Sequence, residues 1–445
     1  MRHRFSKENQ SSVDSAYRFG KFELCPADRI LRRAGRTVPL QPRAFDALLC
    51  LVRRSQHLVS KQELTSTLWP SVHVSEANLT NLIGALRKVV GRNTIRTVSK
   101  HGYRFELPVL GEPGVRHSAY EKFFRARELT AQRTLDSMHM ARDLYWTALA
   151  EDPGFAPAWA WLGRCCWFLD KFSPGSAASA ELARAALERA FALDGDLAAA
   201  HQFYTLVEVD TGRAAQAMDR LLDRLRQHPA EPETFSSLVQ VLRFRGLLRQ
   251  SVEAHQRAVE LDPAIDTSVA HTHFLAADYP AAIESYGGRG GYYLDAAAWA
   301  ALGEKKRAMV LLRERLRALS LSSMMSALLG SLLALLENKP EEAVRLMEAA
   351  DTTREPEIQV YFARHYAQLG LAESALRSLQ RAAHAGFVCS PSTLEADPWL
   401  SPLRKHRGFA AFQADSQRRV REAEASFAAA LAAGVEWPVL SAPTS

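Results

Sequence analysis

The chain has 445 residues, 47% hydrophobic and 24% charged, which is too long for one ordinary domain and fits two to four soluble globular ones rather than a fibrous or disordered protein. Its five cysteines (Cys25, Cys50, Cys165, Cys166 and Cys389) are odd in number and form no CxxC pair, so no disulfide framework is expected and a reducing, cytoplasmic setting is the default. The net charge of +7 is unevenly placed: residues 1–112 hold 19 Lys and Arg against 9 Asp and Glu and the remainder 37 against 40, which points to a polyanionic partner for the first part alone.

In chain order, residues 1–16 are polar, lack the apolar core of a signal peptide and read as a disordered N-terminus. Strand-like segments follow over 17–24, 30–33 and 37–40, with Gly35 in a turn. Gln41-Pro42 puts proline in a helix's first turn, and Phe45, Leu48, Leu49 and Val52 give that helix one apolar face. Ser60-Lys61-Gln62-Glu63 reads as a capping box that opens a second helix, which runs to about Trp69 and is ended by Pro70. A third helix starts near Ser75. Leu79, Leu82, Ile83, Leu86 and Val90 form its apolar stripe, Asn78, Thr80, Asn81, Gly84, Arg87 and Lys88 its opposite face, and Gly91 stops it. Short strands over 94–98 and 103–107 close the unit around a polar tip, Ser99-Lys100-His101-Gly102. In the second of them Tyr103, Phe105 and Leu107 alternate with Arg104 and Glu106, as in a half-buried strand.

From about residue 120 the text becomes rich in Ala and Leu and repeats at close to the 34-residue tetratricopeptide period. Small residues that open a second repeat helix recur at Ala141, Ala183, Ala217, Ser251, Ala282, Ala308, Ala343 and Ala375, with steps of 42, 34, 34, 31, 26, 35 and 32. An insertion near 172–176 accounts for the long first step, and Trp159, Leu162 and Gly163 match the first helix of the second unit. Small residues let the helices approach closely, and each hairpin can bury its apolar face only against the next. A terminal cap is expected over 397–412, then a charged helix over 415–433 and a tail. The apolar run 319–336 carries five serines, so it reads as a buried repeat helix and not as a membrane span.

The chemistry concentrates in the third helix and its hairpin. A helix with one apolar face and one Asn/Thr/Arg/Lys face can lie in the major groove, where Asn pairs with adenine, Arg with guanine and Lys with phosphate. A basic hairpin beside it can reach the backbone or the minor groove. The plainer reading of the helix alone is a solvated amphipathic face. Gly287-Gly288-Arg289-Gly290-Gly291 follows no strand and reads as a turn, while His271 and His273 point to different sides of a helix. No nucleophile elbow, zinc motif or phosphate loop is visible, so no enzyme activity, metal or cofactor is expected.

Residues 17–109 resemble the effector domain of the OmpR/PhoB-type winged-helix regulators. The resemblance rests on the element order and on Leu40-Gln41-Pro42-Arg43-Ala44-Phe45-Asp46-Ala47-Leu48-Leu49, Leu58-Val59-Ser60-Lys61-Gln62-Glu63-Leu64, Leu68-Trp69-Pro70, Leu86-Arg87-Lys88, Ile95-Arg96-Thr97-Val98 and Gly102-Tyr103-Arg104-Phe105. It implies groove-facing positions at Asn81, Gly84, Ala85 and Arg87 and a backbone contact at Thr97. Ser99 and Lys100 stand where many members place a minor-groove arginine, which leaves Lys100 and His101 as substitutes. Trp69 and Tyr103 are read as core. With about 16 residues ahead of it the domain has no room for a preceding receiver domain, and the layout resembles the soluble HilA-like one-component regulators more than the CadC-like ones, which carry a membrane span.

The resulting expectation is a multidomain fold, an N-terminal α+β winged helix followed by an all-α tetratricopeptide-like superhelix. Its divisions are a 1–16 N-terminus, 17–110 DNA-binding domain, 111–121 linker, 122–412 repeat array and 413–445 helix and tail. The expected DNA-contacting residues are Asn78, Thr80, Asn81, Gly84, Ala85, Arg87, Lys88, Arg96, Thr97, Ser99, Lys100, His101 and Arg104. The expected partners are double-stranded promoter DNA, a second copy of the chain on DNA, RNA polymerase, and a protein or small-molecule effector met by the concave face of the repeats; no membrane is expected. The alternative is a repeat-based interaction scaffold whose winged helix no longer reads DNA.

Overall fold

A computed structural model describes residues 16–26, 29–69, 76–111, 116–132, 134–172, 177–263, 265–286, 293–318, 323–350 and 355–438. The expected N-terminal tail, the stop at Pro70, the helix start at Ser75, the insertion at 173–176, the glycine run 287–291 and the chain beyond 438 fall outside them, apart from Ala16 of the first. Two compact units emerge. The first ends at Ala126 and takes in Leu144–Phe155; the second takes Arg127–Asp143 and all that is described from Ala156 on.

The first unit runs β1 (Tyr17–Phe19), β2 (Phe22–Cys25), β3 (Ile30–Arg33), β4 (Arg36–Val38), α1 (Pro42–Arg53), β5 (Leu58–Ser60), α2 (Lys61–Leu68), α3 (Glu76–Val90), β6 (Ile95–Val98), β7 (Gly102–Phe105) and β8 (Leu110–Gly111). Its strands make two antiparallel sheets, ordered β4-β3-β2-β1-β8 and β5-β7-β6. The expected single strand over 17–24 is a hairpin. Gly20 adopts φ +54°, a conformation cheap only for glycine, and the chain reverses so that Tyr17 pairs with Leu24 and Phe19 with Phe22.

The buried face of α1 is Ala44, Phe45, Ala47, Leu48, Leu51 and Val52, so Leu51 takes the inner place expected of Leu49, which is half-buried. At α2 the Ser60 Oγ accepts from the Glu63 N–H at 3.0 Å, which is one half of the capping box. The Glu63 carboxylate does not return to the cap; it pairs with Arg54 at 2.6 Å. α3 buries Leu79, Ile83, Leu86 and Val90. These side chains meet Phe19, Phe45, Leu48, Trp69, Tyr103 and Phe105 in one core, so Trp69 and Tyr103 are core residues.

Two strands carry no sequence signal because they are too short for a period to show. β8 pairs with β1, and β5 pairs with β7, setting Val59 opposite Tyr103. The β5 pairing explains Gly102, since a Cβ there would stand 2.0 Å from the Val59 carbonyl oxygen.

The helices beyond residue 115 form pairs: α4 (Arg116–Ala131) with α5 (Leu135–Glu151), α6 (Ala156–Phe172) with α7 (Ala177–Leu193), α8 (Ala198–Asp210) with α9 (Ala214–Gln227), α10 (Pro232–Phe244) with α11 (Leu248–Leu261), α12 (Val269–Leu275) with α13 (Tyr279–Glu284), α14 (Leu294–Ala301) with α15 (Lys305–Ala318), α16 (Ser323–Leu336) with α17 (Pro340–Ala349), and α18 (Pro356–Gln368) with α19 (Ala372–His384). α20 (Pro391–Ala396), a 3-10 turn and α21 (Phe409–Ala432) follow. The expected small residues Ala141, Ala183, Ala217, Ser251, Ala282, Ala308, Ala343 and Ala375 each lie in the second helix of a pair with 0% exposure. From Ala217 on, the residue five places earlier (Gly212, Gly246, Ala277, Gly303, Asn338 or Gly370) is left-handed and makes the turn between the two helices. In each such turn the next N–H reaches back over the helix end, as from Leu247 to the Leu242 carbonyl at 2.8 Å.

Within the second unit α18 occupies the inner side of the array. All its residues from Pro356 to Ala367 are buried. Its end and flank meet α6 through Glu355–Lys171 (2.6 Å), α10 through Glu357–Arg243 (2.9 Å), α12 through Tyr361–His271 (3.0 Å) and α16 through His365–Ser331 (3.0 Å). Those are first helices of their pairs, the side a bare superhelix would leave concave. α18 thus reaches the side of these pairs on which the sequence reading expects a partner. α21, which starts earlier than the expected 415, lies against α9 and the α10–α11 turn. Ser426 donates to Asp219, and beyond the helix Trp437 Nε1 donates to Glu253 at 2.8 Å. The run 319–336 contains α16, whose Ser331 is buried; no helix among the described residues is long and apolar enough to cross a membrane.

Candidate nucleic-acid interface

Packing of its apolar stripe leaves α3 with one face open. Asn78, Thr80, Asn81, Ala85 and Lys88 are exposed there. Gly84 sits among them with nothing within 4 Å of where a Cβ would be, so the middle of this face is low and lets another molecule approach the backbone. Thr80 is partly committed: its hydroxyl donates back to the Glu76 carbonyl at 3.0 Å and lies 3.5 Å from the Tyr103 hydroxyl. The start of α3 is tied to α2 by Lys61–Glu76 at 2.8 Å.

The β6–β7 hairpin stands beside this face. The His101 N–H closes its tip on the Val98 carbonyl at 3.1 Å, and the His101 carbonyl accepts from the Lys61 N–H at 2.9 Å, so the tip is fixed to α2 as well. Lys100 takes φ +64° at the apex and is exposed, while Ser99 and His101 are half-buried. Arg96 and Thr97 on β6 are also half-buried.

Two expected contact residues are placed otherwise. Arg104 is 6% exposed and pairs through Nε with Glu106 at 2.8 Å. β7 is the central strand of its sheet and is buried on both faces, so the alternation read as half-buried does not hold and the Arg104 charge is spent inside the unit. Arg87 lies flat between α3 and β6. Its Nε donates to the Ile95 carbonyl at 2.8 Å and its Nη2 to Thr97 Oγ1 at 2.7 Å, with the guanidinium 6.0 Å from the Tyr103 ring centre. Burial pulls the Arg87 guanidinium below its ordinary value. Sequence reasoning could not see either arrangement, because a basic residue on a polar helix face looks alike whether it points outward or across to a neighbouring strand. Among the described residues no group of three or more His, Cys, Asp or Glu is placed to hold a metal ion.

Residues 35–105 match the family described as "Transcriptional regulatory protein, C terminal". The N-terminal domain is an OmpR/PhoB-type winged helix. The helix expected to read DNA corresponds to α3, and the expected wing to the β6–β7 hairpin. The transcriptional activator CadC of Escherichia coli K12 is 31% identical over 99 residues, 21% of this chain and 19% of CadC. The transcriptional regulator HilA of Salmonella typhimurium is 32% identical over 87 residues, 19% of this chain and 16% of HilA. The solved DNA-binding domain of E. coli CadC is 30% identical, matching 22% of this chain and 97% of that domain, with a TM-score of 0.21. The matched stretch thus spans less than a fifth of each full-length relative.

Proposed function

We propose that the chain is a sequence-specific, double-stranded-DNA-binding transcriptional regulator, with α3 in the major groove and the wing on the backbone or in the adjacent minor groove. The observation that carries it is the exposed face Asn78–Asn81–Ala85–Lys88 on one rigid core with the exposed Lys100 tip. Asn78 and Asn81 supply amides that can pair with adenine, Gly84 and Ala85 let the helix sink toward the bases, and Lys88 and Lys100 neutralise phosphate. Thr80, Arg96, Thr97, Ser99 and His101 flank them. CadC and HilA carry the names of an activator and a regulator, which supports this reading for the winged-helix end.

The same reading puts the DNA-binding domain at about 17–110 and the regulatory body at 122–412, acting in the cytoplasm without enzymatic activity. α18 reaches the inner side of several pairs, so an effector, RNA polymerase or a second copy of the chain would meet the outer helix faces and hairpin turns. Fluorescence anisotropy of the full chain on labelled duplex DNA tests the proposal. Affinity should fall steeply with salt, with a log–log slope of several units. Binding that ignores salt, or no binding by folded protein, favours the scaffold alternative.

A further inference from the structure

The outer faces of α15 and α17 carry opposite charge. α15 buries Ala308 and Leu312 and turns the opposite stripe, Lys306, Val310, Arg313 and Arg317, to solvent at the spacing of one helix face. Residues 304–317 hold six Lys and Arg against two Glu, in a body that is slightly acidic as a whole. Lys306 and Arg317 make no ion pair among the described residues, and Arg307 is held over the Trp299 ring, 3.7 Å from its centre. Val310 is 51% exposed and Leu302, one turn before Lys306, is 44% exposed, so the stripe is apolar as well as basic. α17 buries Ala343 and Met347 and turns Glu341, Arg345 and Glu348 outward, with Glu342 beside them. Arg345 lies 3.9 Å from Glu342, which leaves Glu341 and Glu348 without an ion pair among the described residues. Arg313 of α15 pairs at 2.6 Å with Glu337, which enters the turn before α17, so the two stripes lie side by side on one surface.

We propose that this surface pairs with the same surface of a second copy of the chain, about a two-fold axis that follows the seam between α15 and α17 and sets the basic stripe of each copy on the acidic stripe of the other. A foreign partner acidic enough for α15 would be repelled by α17 alongside it, whereas the same surface turned through half a turn matches both stripes at once. Exposed Leu302 and Val310 gain apolar cover in the contact. The contact uses no residue of the winged helix, so it goes beyond the DNA-binding reading and stands or falls without it.

The experiment is sedimentation of the full chain without DNA, at about 20 µM protein and about 50 mM salt and again at about 500 mM salt. The wild type should sediment as a dimer at the lower salt and associate about tenfold more weakly, or worse, at the higher. Two charge-reversed variants are compared with it, Lys306→Glu with Arg317→Glu, and Glu341→Lys with Glu348→Lys. All four residues are exposed, so thermal melts should match the wild type. Each variant alone sets like charges against one another and should be monomeric, while an equimolar mixture of the two restores both pairings and should return the dimer. Val310→Ser should also weaken the wild-type dimer, which keeps the test open should a charge reversal melt early. A wild type that stays monomeric at the lower salt, variants that dimerise as the wild type does, or a mixture of folded variants that stays monomeric would overturn the proposal, and none of these results bears on whether the winged helix binds DNA.

Discussion

Arg243 and Glu357 stand 114 residues apart in the sequence and 2.9 Å apart in the structure, both buried. Arg243 belongs to α10, near the middle of the repeats, and Glu357 to the first turn of α18. Arg243 also donates to the Ser268 carbonyl and hydroxyl, at 3.1 and 2.9 Å. Burial alone would raise the Glu357 carboxyl; Arg243, and then His271, outweigh it and hold the group well below the usual carboxylate range. The pair fixes the inserted helix at its start.

Glu357→Gln should therefore destabilise the helical unit strongly, because it leaves the Arg243 guanidinium charged and unbalanced inside the fold. A loss of about 3–5 kcal/mol is expected in denaturant unfolding. A loss below about 1 kcal/mol would mean that α18 is held by its apolar contacts alone.

His365 predicts an acid limb to stability. Its ring bridges the Tyr293 hydroxyl at 2.9 Å and Ser331 at 3.0 Å, and burial, then the Arg364 charge, pushes it down to about 3. The unfolded ring titrates near 6.5, as a general value. A histidine lowered in the folded state supports folding above the unfolded value and withdraws that support as pH falls from about 6.5 toward 3. Between pH 7 and 5.5 the wild type should lose about 1 kcal/mol more than His365→Gln. Parallel pH profiles would show that this ring does not stay neutral.

Much of this was legible in the sequence, and the exceptions share a cause. Ala217, Ser251 and Ala343 mark the repeat because every hairpin needs a small residue where two helices cross, and that need recurs at a spacing. Ser60 and Phe45 announce local events within a turn or two of helix. Arg87 and α18 do not, because their partners (Thr97 on another element, Arg243 far up the chain) are set by tertiary placement, and Arg104 does not, because its near neighbour Glu106 says nothing of β7 being a central strand covered on both faces. β5 was invisible for another reason: three residues cannot display an alternation.

Gly102→Ala probes that missed strand. The added Cβ would fall 2.0 Å from the Val59 carbonyl oxygen, and backbone cannot move aside as a side chain can. The variant should lose about 3 kcal/mol, the upper end for an overpacked site. A melt equal to the wild type would place β5 further from β7 than the pairing here.

Lys100 and Arg104 separate an exposed charge from a buried one on the same hairpin. Lys100→Ala should weaken DNA binding on all sequences and reduce the salt slope by about one unit. Arg104→Gln should lower stability and leave the slope unchanged. Equal slope changes in the two variants would return Arg104 to the DNA-contacting face.

The most direct test of the central claim is selection of duplexes from a random library by the full chain, run in parallel with Asn81→Ala. Asn81 is exposed on α3 with its amide clear of the core, so the variant should fold as the wild type does. The wild type should enrich a defined motif, and Asn81→Ala should lose preference at one base pair of it, worth about 1–3 kcal/mol of discrimination. Identical motifs from both proteins, or none from either, would contradict a recognition helix that reads DNA through this face.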